Sequence, residues 1–376
     1  MSDTLPHPTA LADIEAELQR QQCRGQGDEP LSSVRAWLSN IVIFCNDDDE
    51  LLRVARDVQG IAGAHPSRII VLAVSPAAND EGIEAWVRAR SERTASSPGG
   101  QRNEFVLLRC SLKRSGGLPA AARSLLIGDL PTALWWTPTD QSPPHYGQLF
   151  DSLSAMADHV IYDSRGWIDA PPAVSATAKW AAHAHPGLAI SDLAWRRLEP
   201  WRSVIGQSLD PARVPGALAG IDELVIEHGP HALPQAWLLI GWMADRLGWR
   251  IASGTLETGV EVTWNFESSA ADSARPIRVK VRRNAGGEPM EIEAVSIQWT
   301  TAVGGVRVTD RERLERLAHE RIGVMGEPGV DGPRVVAVPL RKRSELVAGE
   351  LPQRGPRPLF CESLQRSRVM AEALMH

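Results

Sequence analysis

The densest run of groups able to do chemistry is Asn46-Asp47-Asp48-Asp49. Clustered carboxylates hold Mg²⁺, and the same run after a strand caps the next helix and suits its positive N-terminus. Capping is the simpler use, because Glu50 to Ala62 follows with Leu51, Leu52, Val54, Ala55 and Val58 in helical spacing. His183 and His185, and His228 and His231, are close pairs, but neither spacing sets both rings on one helical face, so they read as loop histidines. Arg68, in His65-Pro66-Ser67-Arg68, suits either of two tasks. It can grip a phosphate or a partner carboxylate, or it can satisfy helix-terminal carbonyls at a tight turn. The segment Asp192 to Arg202 combines Trp195 and Trp201 with Arg196, Arg197 and Arg202, and Trp195, Leu198, Arg202 and Ile205 share one helical face. Trp and Arg dominate interface hot spots, and Arg stacks on Trp. The plainer reading is a core helix capped by Asp192 with a solvated Arg face. Arg278, Lys280 and Arg282 alternate with Ile277, Val279 and Val281, which makes a solvated sheet face or a surface for an acidic partner.

The familiar catalytic signatures are missing. No GxGxxG follows the first apolar strand, and GxxxxGK[ST], HExxH, GxSxG and CxxC do not occur. Lys113, Lys179, Lys280 and Lys342 are the only lysines, which leaves little for Schiff-base or P-loop chemistry. Cys23, Cys45, Cys110 and Cys361 are scattered, so a disulfide scaffold or Cys-rich zinc site is not expected. No catalytic residue, metal or cofactor is therefore expected. The net charge of −6 provides no basic excess to neutralise phosphates, which argues against nucleic acid or an anionic membrane as a general partner. Thirteen Trp stand against five Phe and two Tyr.

The elements that must position these residues can be read from periodicity. With 376 residues, 43% of them apolar, the chain suits about two globular domains. The apolar run Ala236 to Ala244 is far shorter than the ~20 residues that span a bilayer. The first residues, Met-Ser-Asp-Thr-Leu-Pro-His, lack a basic and an apolar region, so a cytoplasmic location is expected. A helix over Thr9 to Gln22 and a linker over Gly25 to Pro30 precede strands at Val34 to Cys45 and Arg68 to Val74, joined by the helix from Glu50 in a β-α-β unit. Ile83 to Ala89 and Glu104 to Ser111 read as strands, Leu118 to Ile127 and Tyr146 to Ala157 as helices, and Thr132 to Trp136 and His159 to Tyr162 as short strands.

Helices then follow at Ala173 to His183, Asp192 to Leu209 (interrupted by Pro200) and Leu233 to Leu247. Strand-like stretches come next at Leu224 to Glu227, Trp249 to Ser253, Val260 to Phe266, Ile277 to Arg283, Met290 to Trp299 and Val306 to Val308. Asn284 to Gly287 reads as a hairpin-type turn, Asp310 to Arg321 as a helix, and Gly323, Gly326, Gly329 and Gly332 as a loop. A strand at Arg334 to Val338 and helices at Ser344 to Glu350 and Leu359 to Leu374 complete the pattern. The expected fold is an α/β domain over residues 32–170 with a mixed, partly parallel sheet. An α+β domain over 171–376 with a largely antiparallel sheet follows it, and residues 1–31 form an N-terminal helix and linker.

Five segments, in this order, carry a resemblance. They are His65 to Arg68, Asp129-Leu-Pro-Thr-Ala-Leu-Trp-Trp136, Ala157-Asp-His-Val-Ile-Tyr-Asp-Ser164, Asp192 to Arg202, and Gly241-Trp-Met-Ala-Asp-Arg-Leu-Gly-Trp249. Together they resemble the glucose-6-phosphate dehydrogenase assembly protein family, OpcA, over roughly residues 35–320, with a looser match after that. The resemblance implies a non-catalytic partner of glucose-6-phosphate dehydrogenase that supports its assembly and raises its activity in the oxidative pentose phosphate pathway. It turns Arg68, Trp195, Arg196, Arg197, Trp201 and Arg202 into expected partner-binding residues. Cysteines near the C-terminus of cyanobacterial members are associated with redox control, and here Cys361 alone lies in that region. The alternative is an enzyme that binds a sugar phosphate or nucleotide in the α/β domain through Arg68 and Asp47 to Asp49.

Overall fold

The computed structural model describes residues 7–24, 37–94, 97–257, 261–268, 275–317, 321–325, 334–338 and 341–375, and organises them around two eight-stranded sheets. The first sheet takes β1 (His7–Thr9), β2 (Ser39–Cys45), β3 (Ser67–Val74), β4 (Glu84–Thr94), β5 (Ser97–Cys110), β6 (Thr132–Trp136), β7 (His159–Tyr162) and β8 (Ala189–Asp192). Their spatial order is β1-β4-β5-β3-β2-β6-β7-β8. From β5 to β8 every pairing is parallel, and β4 and β1 add antiparallel strands at one edge. Counted along the chain, the six parallel strands fall in the order 3-2-1-4-5-6 of dinucleotide-binding folds. β2, β3, β6 and β7 are buried along their whole length, which is why they read as continuous apolar runs rather than alternating ones.

Helices α1 (Ile14–Arg24), α2 (Asp48–Ala64), α3 (Leu118–Ser124), α4 (Gln148–Ser154) and α5 (Ala170–His183) accompany this sheet. Val54, Val58 and Ile61 of α2 pack with Ile41, Ile43, Val71 and Trp135 on one face of the sheet. The chain then passes through α6 (Leu193–Arg197), α7 (Glu199–Ser208) and α8 (Ala217–Gly220) into the second sheet. That sheet holds β9 (Ile221–His228), β10 (Trp249–Glu257), β11 (Glu261–Ser268), β12 (Arg275–Arg283), β13 (Ile292–Val303), β14 (Val306–Leu317), β15 (Arg321–Met325) and β16 (Arg334–Ala337). Its order is β10-β11-β12-β9-β13-β14-β15-β16, antiparallel except for the β12–β9 pair.

Helix α9 (Leu233–Arg246) enters the same core as this sheet through Trp237, Leu239 and Ile240. Gly241 lets α9 approach α11 (Pro358–Met375) closely, because a Cβ there would overlap the Ser363 carbonyl. Two members of the Arg/Lys stripe of β12 belong to an ion-pair lattice, in which Lys280 meets Glu223 at 2.8 Å, Arg282 meets Glu261 at 2.5 Å and Arg313 of β14 meets Glu227 at 2.9 Å. Helix α10 (Arg343–Glu350) returns to the first sheet, where Leu346 and Val347 complete the core beneath α2. Among the described residues, no helix is long and apolar enough to cross a membrane.

The two-part expectation, a mixed, partly parallel sheet followed by a largely antiparallel one, matches this architecture, in which the first sheet is mostly parallel. Three details differ. Asp310 to Arg321 is not a helix: β14 runs to Leu317 and β15 starts at Arg321. The Leu314/Leu317 spacing suggested a helix, but Glu312 and Leu314 are buried while Arg311 is exposed, and ladders to β13 and β15 on both sides fix the strand. Asn284 to Gly287 forms a turn, with the Gly287 N–H donating to the Asn284 carbonyl, but not a hairpin, since β12 and β13 lie on opposite sides of β9. The first sheet also continues past residue 170 to take β8. Gly323 lies in β15, whereas Gly326, Gly329, Gly332 and the Gly25 to Pro30 linker fall outside the described residues.

Candidate functional site

The Trp/Arg segment forms the corner between α6 and α7. Asp192 ends β8 and caps α6, accepting from the Ala194 N–H at 2.8 Å and the Ser164 N–H at 3.0 Å. Pro200 sits in the first turn of α7, where its missing N–H costs nothing. Trp195 and Trp201 point inward and are 5% and 3% exposed. The Arg202 guanidinium lies 3.6 Å from the Trp195 ring centre and donates to the Trp195 carbonyl at 2.8 Å. Burial pushes its pKa down to about 10. Arg197 clasps both carboxylate oxygens of Asp163, at 3.0 and 2.9 Å. Burial opposes ionisation of Asp163, but Arg197 and Arg165 outweigh it and hold the carboxyl below its ordinary range. Burial and the Asp163 charge push neighbouring Asp192 up to about 7. Arg196 is the more open arginine of α6, 3.6 Å from buried Glu350 and 3.7 Å from Glu199.

This corner is one wall of a cleft of about 490 Å³. Strand β15 and the edge strand β16 form a second wall, and the start of α10 a third. Seven arginines line it against two glutamates. Glu291 is shared by Arg165 at 3.3 Å and Arg316 at 2.5 Å, and Glu199 by Arg341 at 3.3 Å and Arg196. Arg343 is drawn away by Glu50 at 2.7 Å and Asp57 at 2.6 Å. Val204, Ile322, Val336 and Leu346 supply the apolar part of the lining. Of the residues singled out in the sequence, Arg196, Arg197 and Trp201 reach the cleft, while Trp195 and Arg202 support it from behind. Arg165, Glu291, Arg316, Arg321, Arg341 and Arg343 were not legible as a site, because they come from five separate stretches with no common spacing.

Arg68 lies in β3 and is buried. It donates to Glu104 at 2.7 Å, to Glu15 at 2.5 Å and to the Leu125 carbonyl at 3.0 Å, just past the end of α3. The crevice at the carboxyl ends of β2 and β6, where this strand order places a pyrophosphate, carries carboxylates instead. Asp47 caps α2 by accepting from the Glu50 N–H at 2.6 Å. Asp48 accepts from Ser75 Oγ at 2.7 Å and pairs with Arg109 at 3.2 Å. Among the described residues, no three His, Cys, Asp or Glu side chains are grouped to hold a metal. Cys45 and Cys110 are buried free thiols, and Cys361 is a half-buried one.

Two family models match in tandem: a glucose-6-phosphate dehydrogenase subunit N-terminal domain over residues 58–179, and the corresponding C-terminal domain over residues 188–364. A Nostoc punctiforme protein is 32% identical over 53% of this chain, and a Synechocystis protein 29% over 59%. A Synechococcus elongatus protein is 28% identical over 84% of the chain. Each carries the provisional name OxPP cycle protein OpcA. The matched stretch spans 42% and 45% of the Nostoc and Synechocystis proteins and 69% of the Synechococcus one. An oxidoreductase domain protein from Kribbella flavida shares the fold, with a TM-score of 0.50 at 13% identity over 89% of this chain and 96% of that one. With both domain models matched in order over most of its length, the chain belongs to the OpcA family of glucose-6-phosphate dehydrogenase subunits.

Proposed function

We propose that this chain is a non-catalytic subunit that binds glucose-6-phosphate dehydrogenase, supports its assembly and raises its activity. The tandem match to both domains of a dehydrogenase subunit carries this reading. The crevice geometry supports it. Asp47 and Asp48 stand where a dinucleotide phosphate would bind, and like charge there repels the cofactor that this strand order otherwise holds. An enzyme built on Arg68 and Asp47 to Asp49 is the weaker reading, because Arg68, Asp47 and Asp48 are already engaged within the fold. The expected partner surface is the α6–α7 corner, with Arg196 outward on a footing of Trp195 and Trp201.

Such a subunit acts by binding one conformation or assembly of the dehydrogenase better than another. A tenfold rise in apparent substrate affinity needs only about 1.4 kcal/mol of coupling. The test mixes the purified full chain with the cognate dehydrogenase and follows sedimentation and initial rate against glucose 6-phosphate. A faster-sedimenting complex with altered substrate dependence is expected. If neither property changes, the proposal fails; a complex with unchanged kinetics would leave binding and remove activation.

A further inference from the structure

We infer that the arginine-lined cleft binds an organic phosphate of nucleotide size. The inference does not rest on the dehydrogenase reading, and its test uses this chain alone.

Charge is the first argument. Arg197 and Arg343 are neutralised by carboxylates outside the cleft lining, Asp163 for the first and Glu50 with Asp57 for the second. Within the lining, Arg165, Arg196, Arg316, Arg321 and Arg341 then face Glu199 and Glu291, three more guanidiniums than carboxylates. Asp163 and Glu350 reduce this excess only in part, since Asp163 is clasped by Arg197 and Glu350 by Arg357 at 2.8 Å. Arg321, exposed at the start of β15, has no ion-pair partner among the described residues. In a chain of net charge −6, this is a local concentration of positive charge rather than a general bias.

Unsatisfied donors are the second argument. Arg165 Nε, Arg196 Nε and Arg343 Nη2 are buried and make no hydrogen bond. Arg165 Nε is 3.5 Å from Asp163, and Arg196 Nε is 3.6 Å from Glu350, which are ion-pair separations without hydrogen-bond geometry. These guanidiniums are held by carboxylates behind the lining without saturating their donors, and phosphate oxygens suit guanidinium forks.

Shape is the third. The cleft volume of about 490 Å³ falls within the range of small-molecule sites and exceeds what a phosphate ion fills. Pro200, Val336, Ala337 and Val338, the apolar lining residues that are not buried, offer a surface to the body of the ligand, such as a base or ring. Arg165 and Arg197 follow the carboxyl ends of β7 and β8, the side of an open α/β sheet on which ligands bind.

The test is calorimetric titration of the full chain with ATP, NADPH, glucose 6-phosphate and pyrophosphate. At least one of the nucleotides should bind with a dissociation constant below about 100 µM and more tightly than pyrophosphate, and the affinity should fall with added salt. Arg321→Gln with Arg341→Gln, both at exposed positions, should weaken that binding about tenfold without changing the melting temperature. Glu291→Gln, which removes the shared carboxylate, should tighten it. Lack of binding by every probe below about 1 mM would overturn the inference, as would wild-type affinity in the double variant. Equal affinity for pyrophosphate and nucleotide would overturn the role given to the apolar wall.

Discussion

Arg68→Met separates a structural role from a partner-facing one. Arg68 and Glu104 are 8% and 1% exposed and meet at 2.7 Å. Glu15, the other carboxylate on Arg68, is 51% exposed, so that pair contributes under about 1 kcal/mol. The larger effect comes from Glu104, which loses the guanidinium while staying buried, and from the Leu125 carbonyl, which loses a donor. Removing one side of a buried pair typically costs about 3–5 kcal/mol, and the lower end applies here because Glu104 makes a further interaction. The double variant Arg68→Met/Glu104→Gln should recover at least half the loss, because the uncompensated charge is gone. The assay is a double-mutant cycle in urea, with the dehydrogenase-mixing experiment run in parallel on each variant. A loss under about 1 kcal/mol for Arg68→Met, or no recovery in the double variant, would refute the reasoning. A stable Arg68→Met protein that no longer affects the dehydrogenase would place Arg68 at the partner instead.

Burial, with Arg357 and Arg354 nearby, pushes His159 down to about 3, so its stabilising contribution is complete above pH 6.5 and is lost as pH falls towards 3. Asp192, raised to about 7, runs the opposite way, so the readout is the difference between wild type and His159→Gln: the variant should gain about 2 kcal/mol on wild type between pH 7.5 and about 5, and parallel pH profiles would sink the idea. Gly241→Ala should drive α9 from α11 and cost about 1–3 kcal/mol, since its Cβ meets a backbone carbonyl that cannot rotate away; an unchanged melting temperature would contradict this packing.

Much of the first sheet was legible because parallel strands buried on both faces leave unbroken apolar runs such as Ile41 to Cys45 and Thr132 to Trp136. The helix break at Leu198 and the cap at Asp192 were legible for local reasons: one proline and one carboxylate set them. Strand β14 was not, because Leu314 and Leu317 satisfy a helical spacing and only the neighbours β13 and β15 decide against it. The tryptophan excess turned out to be largely packing. Trp135, Trp136, Trp237, Trp249 and Trp264 are among the largest fully buried side chains. The cleft was only half legible. Its α6–α7 wall is one contiguous segment, whereas Arg165, Arg316 and Arg343 converge only when the second sheet and the returning α10 fold against the first.

The centre and one end of the parallel sheet's carboxyl edge carry opposite charge, and the difference bears on function. At the β2–β6 crevice the chain places Asp47 and Asp48; Arg109 is engaged by Asp48, and Arg343 pairs with Glu50 and Asp57. A phosphate entering there would meet carboxylates at the helix N-terminus that elsewhere receives it. At the β7–β8 end the carboxylates are in the minority, and Asp163 is already held by Arg197. A cofactor-binding order of strands without its cofactor chemistry fits a subunit that acts through a partner. The arginine-rich cleft at the adjoining β7–β8 end would, on the inference above, give such a subunit a place to sense a phosphorylated metabolite. If the titration finds that ligand, its effect on dehydrogenase binding follows by linkage: a ligand that binds the complexed form α-fold more tightly must tighten the complex by the same factor. Measuring the dissociation constant of the complex with and without the nucleotide would therefore give the same α as titrating nucleotide into free and complexed subunit. Unequal values would show that the ligand acts on the dehydrogenase rather than on this cleft.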